Sequence, residues 1–463
     1  MSGRPASRGA WLLTLLVAAA AVVPFWTCRV VPTKDGAAHL YNAWLLVHLD
    51  DPALQAGRFF RVNPFVPNWG GVGPLVPLLL IASPAVAEKL FFSLIAVVLV
   101  LGAAALTARL GGDPVLASAT AVSIAHGWLV AMGFTGFVLG LGVGLGLGAW
   151  AAGRRVDAAR SASITALALT AGFVLLFFLH LAAAAIAAAI AAVVLAARVE
   201  TPRPPRRLAA LGVPFVTLAV LLAVHAGASR GRVGPAYRPD PRGAVGRLLE
   251  LPTGAFWESY SVGDRGLGTA VVALVLGLAL ARATRRVPAS RPARALLLAW
   301  PVVLVAYMLV PFAAGGGAFL TDRLVPLLLL LPLPWATSDG LPQRRVLRGA
   351  ALLLVAGVLA HRGAQYRSWG RTVGELVELN RGLAPGTLLV QPPWIRPGGV
   401  GVDPLSHLWG RVAIETRAVP LDDYEAALAG WFPIAYTDEG RALSAAWTSR
   451  GEIPPGAAVV RYR

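Results

Sequence analysis

Long apolar stretches separated by short charged segments dominate the sequence. Most of these stretches approach the ~20 residues that an α-helix needs to cross the ~30 Å hydrocarbon core of a bilayer. The pattern therefore predicts an all-α polytopic membrane protein with about eleven transmembrane helices. The predicted crossings lie at 11–28, 88–108, 114–130, 133–152, 162–179, 182–198, 208–227, 265–283, 294–313, 320–336 and 347–361.

Two regions of this pattern need a separate interpretation. The segment from Val72 to Val86 is apolar, but three prolines interrupt it, so we predict that it lies along the outer membrane surface. No charged residue lies between Arg160 and Arg198. One helix of that length would be much longer than the hydrocarbon core is thick. We therefore predict a hairpin of two short helices that turns near His180.

Composition agrees with a membrane location, because 57% of the residues are hydrophobic and only 14% are charged. A soluble globular chain usually carries about 25% charged residues. The formal net charge is +18, yet the basic residues stand at the ends of the apolar stretches. That placement is typical of the cytoplasmic loops of membrane proteins and argues against a nucleic-acid partner.

Arginine clusters indicate which loops face the cytoplasm. They fall at 153–161, 199–207 and 337–348. The short turns without Lys or Arg are 131–137, 180–181 and 314–319. By the positive-inside rule, we expect a multi-pass protein of the plasma (inner) membrane, with its N-terminus in the cytoplasm and its C-terminus outside.

This topology divides the chain into two predicted domains. Residues 1–362 form the multi-pass transmembrane domain, with a first outer loop at 29–87 and a second long outer loop at 228–264. Residues 363–463 are predicted to fold by themselves as a small extracytoplasmic α/β domain, because charge, turn residues and strand-length alternation return there. The single cysteine, Cys28, excludes an internal disulfide.

The first outer loop carries the main candidates for chemistry. If 36–49 is helical, Asp35, His39 and Asn42 share one face at i, i+4 and i+7. A carboxylate beside an imidazole suits the abstraction of a proton from a hydroxyl, so Asp35 and His39 are candidate catalytic residues. Two alternatives stay open: Asp35 is only a helix N-cap, or Asp35 and His39 hold a divalent metal, although no third ligand is evident nearby.

Two further candidates come from later outer turns. His180 lies at the turn of the predicted hairpin, either as a functional group or as a hydrated interfacial residue. Arg323 opens the tenth predicted crossing on the outer side, away from every cytoplasmic arginine cluster. A guanidinium there suits phosphate binding. The alternatives for Arg323 are a surface pair with Asp322 or a contact with lipid headgroups.

Motifs for nucleotide hydrolysis or metal catalysis are absent from the sequence, which has no GxxxxGK[ST], CxxC or HExxH pattern. A transferred group would therefore come from a pre-activated substrate or a partner. A transporter is disfavoured because no inverted repeat is evident.

The layout and several short motifs resemble the GT-C glycosyltransferase superfamily. The motifs are Asp35-Gly36-x-x-His39-Leu40-Tyr41, Asn68-Trp69, Ala87-Glu88-Lys89-Leu90, Gly133-Phe134-x-Gly136-Phe137, Leu179-His180, Phe319-x-x-Asp322-Arg323, and Tyr424-Glu425-Ala426 with Phe432-Pro433.

The resemblance implies transfer of a sugar from a polyprenyl-phosphate donor to a lipid or polysaccharide acceptor at the outer membrane face. Asp35 would be the base, with His39 beside it. Arg323, His180 and Asn42 are the candidates for the lipid phosphate and substrate, and membrane lipids are expected partners. Many relatives carry further acidic residues in the first two outer loops, but Gly36 follows Asp35 here and 131–137 has no acid. The alternative function is a non-catalytic carrier or assembly partner for lipid-linked intermediates.

Overall fold

The computed structural model describes residues 6–154, 159–198, 205–228, 237–285, 289–314, 317–338, 343–392, 401–428 and 430–462. Parts of three predicted cytoplasmic segments, 155–158, 199–204 and 339–342, lie outside the described residues, as does 229–236 of the second long outer loop.

Helices make up most of the described chain. They are α1 (Arg8–Trp26), α2 (Gly36–His48), α3 (Leu75–Leu79), α4 (Pro84–Arg109), α5 (Pro114–Ala125), α6 (Trp128–Met132), α7 (Thr135–Ala152), α8 (Ala159–Leu179), α9 (Leu181–Ala196), α10 (Pro205–Ala228), α11 (Gly243–Thr253), α12 (Asp264–Ala283), α13 (Arg291–Leu309), α14 (Val325–Leu330), α15 (Leu333–Ala336), α16 (Arg344–Leu379), α17 (Leu408–Thr416), α18 (Tyr424–Ala427) and α19 (Asp438–Arg450). The strands are β1 (Phe60–Val62), β2 (Ala313–Ala314), β3 (Gly317–Ala318), β4 (Leu388–Val390), β5 (Val419–Pro420), β6 (Ile434–Tyr436) and β7 (Ala458–Val459).

Helices occur at all eleven predicted crossings, but they differ in length. Within the described residues, nine helices are long and apolar enough to span a membrane, with α5 and α6 counted together. The helix α9 is shorter, with 16 residues. The tenth predicted crossing, 320–336, is not one continuous helix, because Pro332 and Pro334 lack the N–H groups that would extend α14. It consists of a 3₁₀ turn (Asp322–Leu324), α14 and α15.

Close approaches between helices give their relative directions. A Cβ at Gly140 would meet Ala183, and a Cβ at Gly144 would meet Ala187, so α7 and α9 run in parallel. A Cβ at Gly172 of α8 would meet Leu147, whereas Gly140 lies near Leu176, so α7 and α8 run antiparallel. It follows that α8 and α9 are antiparallel and form the predicted hairpin, with His180 as the single extended residue between them.

Loops that the charge pattern assigns to one side meet at one end of the bundle. At the inner-loop end, Ser290 donates a hydrogen bond to the carbonyl of Leu110, and Arg348 pairs with Asp113 at 2.9 Å. At the outer-loop end, the N–H of Lys34 donates to the carbonyl of Ala131. The relative topology of these loops therefore agrees with the charge pattern, while the side of the membrane that each end faces stays a prediction.

The C-terminal segment is not separate from the rest of the chain, contrary to the predicted boundary at 362/363. The continuous helix α16 passes through that boundary. The strand β6 pairs with β1 of the first outer loop. The C-terminal segment also contains a parallel three-stranded sheet of order β5-β4-β7. One hydrophobic core combines Tyr41, Trp44 and Leu45 of α2 with Trp409 and Tyr436. A fragment that starts at 363 would lose nine of the 23 buried residues of that core.

Candidate functional site

A cavity of about 640 Å³ lies at the outer-loop end of the bundle, where several separate parts of the chain meet. Its lining comes from the first outer loop, the turn before α7, the α8–α9 turn, the segment around Arg323, and the C-terminal segment. The side chains with polar atoms in the lining are Lys34, Asp35, His39, Asn68, Thr135, His180, Arg323, His407, Tyr424 and Trp431.

Asp35 is held at the cavity wall by its backbone. Its N–H donates to the carbonyl of Met132, and its carbonyl accepts the N–H of His39 in the first turn of α2. The contact requires a glycine at position 133, since Gly133 has φ +91° and a Cβ there would lie 2.8 Å from the Cβ of Asp35. The motif that begins at Gly133 thus places the candidate base.

The Asp35 carboxylate does not cap α2. It accepts no hydrogen bond from the helix backbone, so the interpretation of Asp35 as only an N-cap is wrong. The residue is 9% exposed, and its Oδ1 lies 3.3 Å from Nε2 of His407. The carboxylate is therefore oriented by a side chain of the C-terminal segment and faces the cavity.

His39 lies beside Asp35, but both of its ring nitrogens are engaged. Nε2 is 2.9 Å from the carbonyl oxygen of Gly133, and Nδ1 is 2.5 Å from Oε1 of Glu425. Burial alone would lower the pKa of His39, but the Glu425 carboxylate outweighs burial and raises the pKa from 6.5 to about 9. A ring that faces two acceptors and stays protonated cannot take a further proton. The geometry favours a positioning role for His39 over the predicted catalytic one.

Asn42 lies behind the site and is absent from the cavity lining. Its amide donates to Oε2 of Glu425 at 2.8 Å and approaches Oδ1 of Asp423 at 3.4 Å. The geometry therefore does not support the predicted phosphate contact of Asn42. Burial and the charge of Glu425 raise the pKa of Asp423 to about 8, so this corner combines two buried carboxylates with the His39 ring.

Arg323 reaches the cavity without a carboxylate partner. Its guanidinium lies 5.0 Å from the ring centre of Phe134 and 5.8 Å from that of Phe137. Its neighbour Asp322 pairs instead with Arg242 at 2.9 Å, so the alternative of an Asp322–Arg323 surface pair is wrong. Among the described residues, Arg323 forms no ion pair and its Nε has no hydrogen-bond partner.

Four more buried polar atoms in the lining lack hydrogen-bond partners within the described part of the chain. They are Nδ1 of His180, whose ring meets Phe137 edge to face at 5.4 Å, Oδ1 of Asn68, Oγ1 of Thr135 and Nε1 of Trp431. Buried polar groups in native proteins are almost always hydrogen-bonded to protein, water or ligand. With Nε of Arg323, five such atoms around one cavity indicate a polar ligand. Part of the cavity lining is apolar and comes from Leu181 and Ala185 of α9 and Leu222 of α10.

The structure adds residues that the sequence interpretation did not select as site residues. His407 orients Asp35, Glu425 holds His39, and the Tyr424 hydroxyl donates to Glu425 at 3.1 Å while its ring stacks on His407. The motif Tyr424-Glu425-Ala426 was the only sequence signal for Tyr424 and Glu425, and no motif pointed to His407. Among the described residues, no group of three or more His, Cys, Asp or Glu side chains is placed to hold a metal ion.

No family model and no curated protein matches the sequence. Solved structures to which it is similar include those of AftD, an arabinofuranosyltransferase from Mycobacteria. The match to a mutant AftD has 17% identity over 90% of this chain and a TM-score of 0.49. The match to AftD without the mutation has 18% identity over 92% of this chain and a TM-score of 0.48.

In both matches this chain spans only 33% of the AftD chain. Similarity at this level carries no information about activity, so a function has to be inferred from the site itself.

Proposed function

We propose that the protein is a glycosyltransferase that moves a sugar from a polyprenyl-phosphate donor to a lipid or polysaccharide acceptor at the outer face of the plasma membrane. The observation that carries the proposal is that Asp35 and Arg323, distant in sequence, line one cavity. One supplies an oriented carboxylate, and the other supplies an unpaired guanidinium.

The two groups suit the two ends of a glycosyl transfer. The Asp35 carboxylate accepts the proton of the acceptor hydroxyl, whose oxygen bonds to the anomeric carbon of the donor sugar. The bond between that carbon and the phosphate oxygen breaks, and its electron pair leaves with polyprenyl phosphate. Arg323 stabilises the negative charge that develops on the phosphate. His407 keeps Oδ1 of Asp35 in place, which leaves Oδ2 for the hydroxyl.

The shape of the cavity supports a lipid-linked donor. Its polar groups gather around Asp35 and Arg323, while Leu181 and Ala185, one helical turn apart on α9, extend the lining with Leu222 along the membrane helices. A polyprenyl phosphate has the same division, with a charged head and an apolar chain.

Asp35→Asn tests the proposed base. We expect sugar transfer to fall by roughly 10²–10⁴-fold, the usual contribution of general-base catalysis, with little change in folded protein. The measurement is transfer from polyprenyl-phosphate sugars in membranes that carry matched amounts of each variant. Asp438→Asn, an exposed acidic residue at the start of α19 and outside the cavity, is the control and should keep full activity. Full activity in Asp35→Asn would leave the mechanism without a base.

Arg323→Lys tests the phosphate contact in the same assay. A lysine keeps the charge but lacks the paired N–H groups of a guanidinium, so the donor should bind more weakly and its KM should rise.

A carrier or assembly partner would instead show no transfer in any variant and would bind donor equally well with Asp35 or Asn at position 35.

A further inference from the structure

A second hollow, of about 570 Å³, lies where α1 and α16 leave the bundle at the outer-loop end. It shares no residue with the cavity around Asp35. Its lining consists of Thr27, Cys28, Arg29, Arg367, Arg371, Glu375 and Glu378. We call it the arginine groove.

Helix lengths place the arginine groove at the level of the lipid headgroups. The helix α1 ends at Trp26, directly before the groove residues. The helix α16 has 36 residues, which at ~1.5 Å per residue is longer than the ~30 Å hydrocarbon core. About 20 residues from the start of its apolar part at Leu347 reach Arg367. Trp26 is 46% exposed, and tryptophan is enriched at membrane interfaces.

Glycines of α16 allow the chain that follows α1 to approach this helix closely. A Cβ at Gly370 would lie 2.7 Å from the carbonyl oxygen of Val30, and a Cβ at Gly374 would lie 3.2 Å from Cδ of Arg29. The chain that follows α1 therefore lies directly on α16, and the arginine side chains form the walls.

The charges in the groove are not balanced. Arg29 pairs with Glu378 at 2.5 Å, and Glu378 also accepts Arg381 at 2.8 Å. Arg367 and Arg371 are exposed and one helical turn apart, and neither forms an ion pair with any residue that the structure describes. The single negative charge of Glu375 can compensate only one of the two positive charges of Arg367 and Arg371. Arginines without a compensating acidic residue at the outer surface are an exception to the positive-inside pattern that the other loops follow.

We infer that the arginine groove binds the phosphate of an anionic phospholipid headgroup in the outer leaflet. Two guanidinium groups one turn apart can each donate paired hydrogen bonds to phosphate oxygens. The excess positive charge favours an anionic headgroup over a zwitterionic one. The position at the ends of two membrane-spanning helices favours a lipid over a free phosphate ion, because the acyl chains then lie along the exposed apolar surface of the helices.

Lipid binding to the full-length protein tests the inference. The protein, purified in a neutral detergent, is titrated with dioctanoyl phosphatidylglycerol, dioctanoyl phosphatidylcholine or inorganic phosphate. The test variant combines Arg367→Gln and Arg371→Gln, which removes both charges and keeps a polar side chain at each position. Arg441→Gln, an exposed arginine of α19 outside the groove, is the matched control. Unfolding temperatures without lipid verify that all three proteins are folded.

We expect phosphatidylglycerol to bind the wild type and the Arg441→Gln control equally, and the double variant roughly tenfold more weakly, because the double variant loses both guanidinium groups that donate to the phosphate. Phosphatidylcholine should bind more weakly than phosphatidylglycerol. Equal affinity of the double variant and the wild type for phosphatidylglycerol would overturn the inference. Displacement of phosphatidylglycerol by millimolar inorganic phosphate would also overturn it, because the groove would then be a site for free anions.

If the double variant is not folded, the single variant Arg371→Gln replaces it, and a smaller loss of affinity for phosphatidylglycerol is expected. An unchanged affinity in that variant counts against the inference in the same way.

Discussion

Two carboxylate–imidazole pairs connect the first outer loop to the C-terminal segment in a crossed arrangement. In one pair the loop supplies the carboxylate of Asp35 and the C-terminal segment supplies His407. In the other the loop supplies His39 and the C-terminal segment supplies Glu425. Each buried charge of the loop is thus compensated by the segment that covers it, which is the usual requirement for burying a charge. The pair of His39 and Glu425 fixes the position of α2, the helix that directly follows Asp35.

The raised pKa of His39 predicts a dependence of stability on pH. Because its pKa is about 9 in the folded protein and 6.5 ordinarily, the folded state binds more protons between these values. The stabilisation is complete below about pH 6.5 and is lost as the pH rises through 9. We therefore expect the unfolding temperature in detergent to fall across this range.

Glu425→Gln removes the partner of His39. This variant should be less stable than the wild type at pH 6 and should show a much flatter dependence between pH 6.5 and 9. Glu439→Gln, which breaks an exposed pair with Arg58, is the control and should follow the wild-type curve. A wild-type curve without a decline between pH 6.5 and 9 would exclude a protonated His39 in the native state.

At the scale of elements, glycines at turns decide how closely the outer loops approach. Gly133 ends α6 in the left-handed region and admits the backbone of Asp35. Gly136 in the first turn of α7 lies against Gly70 of the first outer loop, since a Cβ at Gly70 would be 2.8 Å from Cα of Gly136. The membrane helices thus position the first outer loop through backbone contacts that side chains would block.

Gly133→Ala should destabilise the protein by about 2 kcal/mol or more, because alanine is strained at positive φ and its Cβ would overlap Asp35. It should also lower transfer activity by displacing the base. Gly146→Ala in α7 is the matched control, as nothing lies within 4 Å of its Cβ. Alanine is favoured over glycine in a helix by ~0.5–1 kcal/mol, so this control should be neutral or stabilising. Unfolding temperature and activity at matched protein level measure both effects. Equal behaviour of the two variants would contradict the close approach at Gly133.

At the scale of the whole molecule, the helix bundle gathers all outer turns at one end, and the C-terminal segment covers them. Arg362 at the middle of α16 contributes to this arrangement, because it is fully buried, pairs with Asp264 at 3.0 Å and donates to the carbonyl of His126 at 2.7 Å. The hydroxyl of Tyr260 donates to the carbonyl of Pro32 at 2.5 Å, which ties the second long outer loop to the first.

Cysteine labelling in intact cells tests the orientation of this assembly. In a chain with Cys28→Ser, Phe65→Cys reports on the first outer loop, where Phe65 is 88% exposed. Arg285→Cys reports on the inner-loop end, where Arg285 is also exposed. A membrane-impermeant maleimide should label position 65 and leave position 285 unlabelled until the cells are lysed. Labelling of 285 alone would show that the protein has the opposite orientation.

The sequence by itself determined which segments form long apolar helices and which loops share an end of the bundle. Hydrophobic length and charge placement are properties of contiguous residues, so they can be recognised without a structure. It also identified Asp35 and Arg323, because an acid directly after a membrane helix and an arginine outside the cytoplasmic clusters stand out locally.

Only the tertiary structure decided how these residues are used. The contacts of Asp35 with His407 and of His39 with Glu425 join residues that are more than 300 positions apart in the sequence. No local pattern encodes such partners. The same contacts changed the interpretation of His39 from a candidate catalytic residue to a positioning group, placed Asn42 behind the site, and joined the C-terminal segment to the first outer loop. These outcomes depend on the pairing of buried charges and the sharing of a core, which arise only when distant segments pack together.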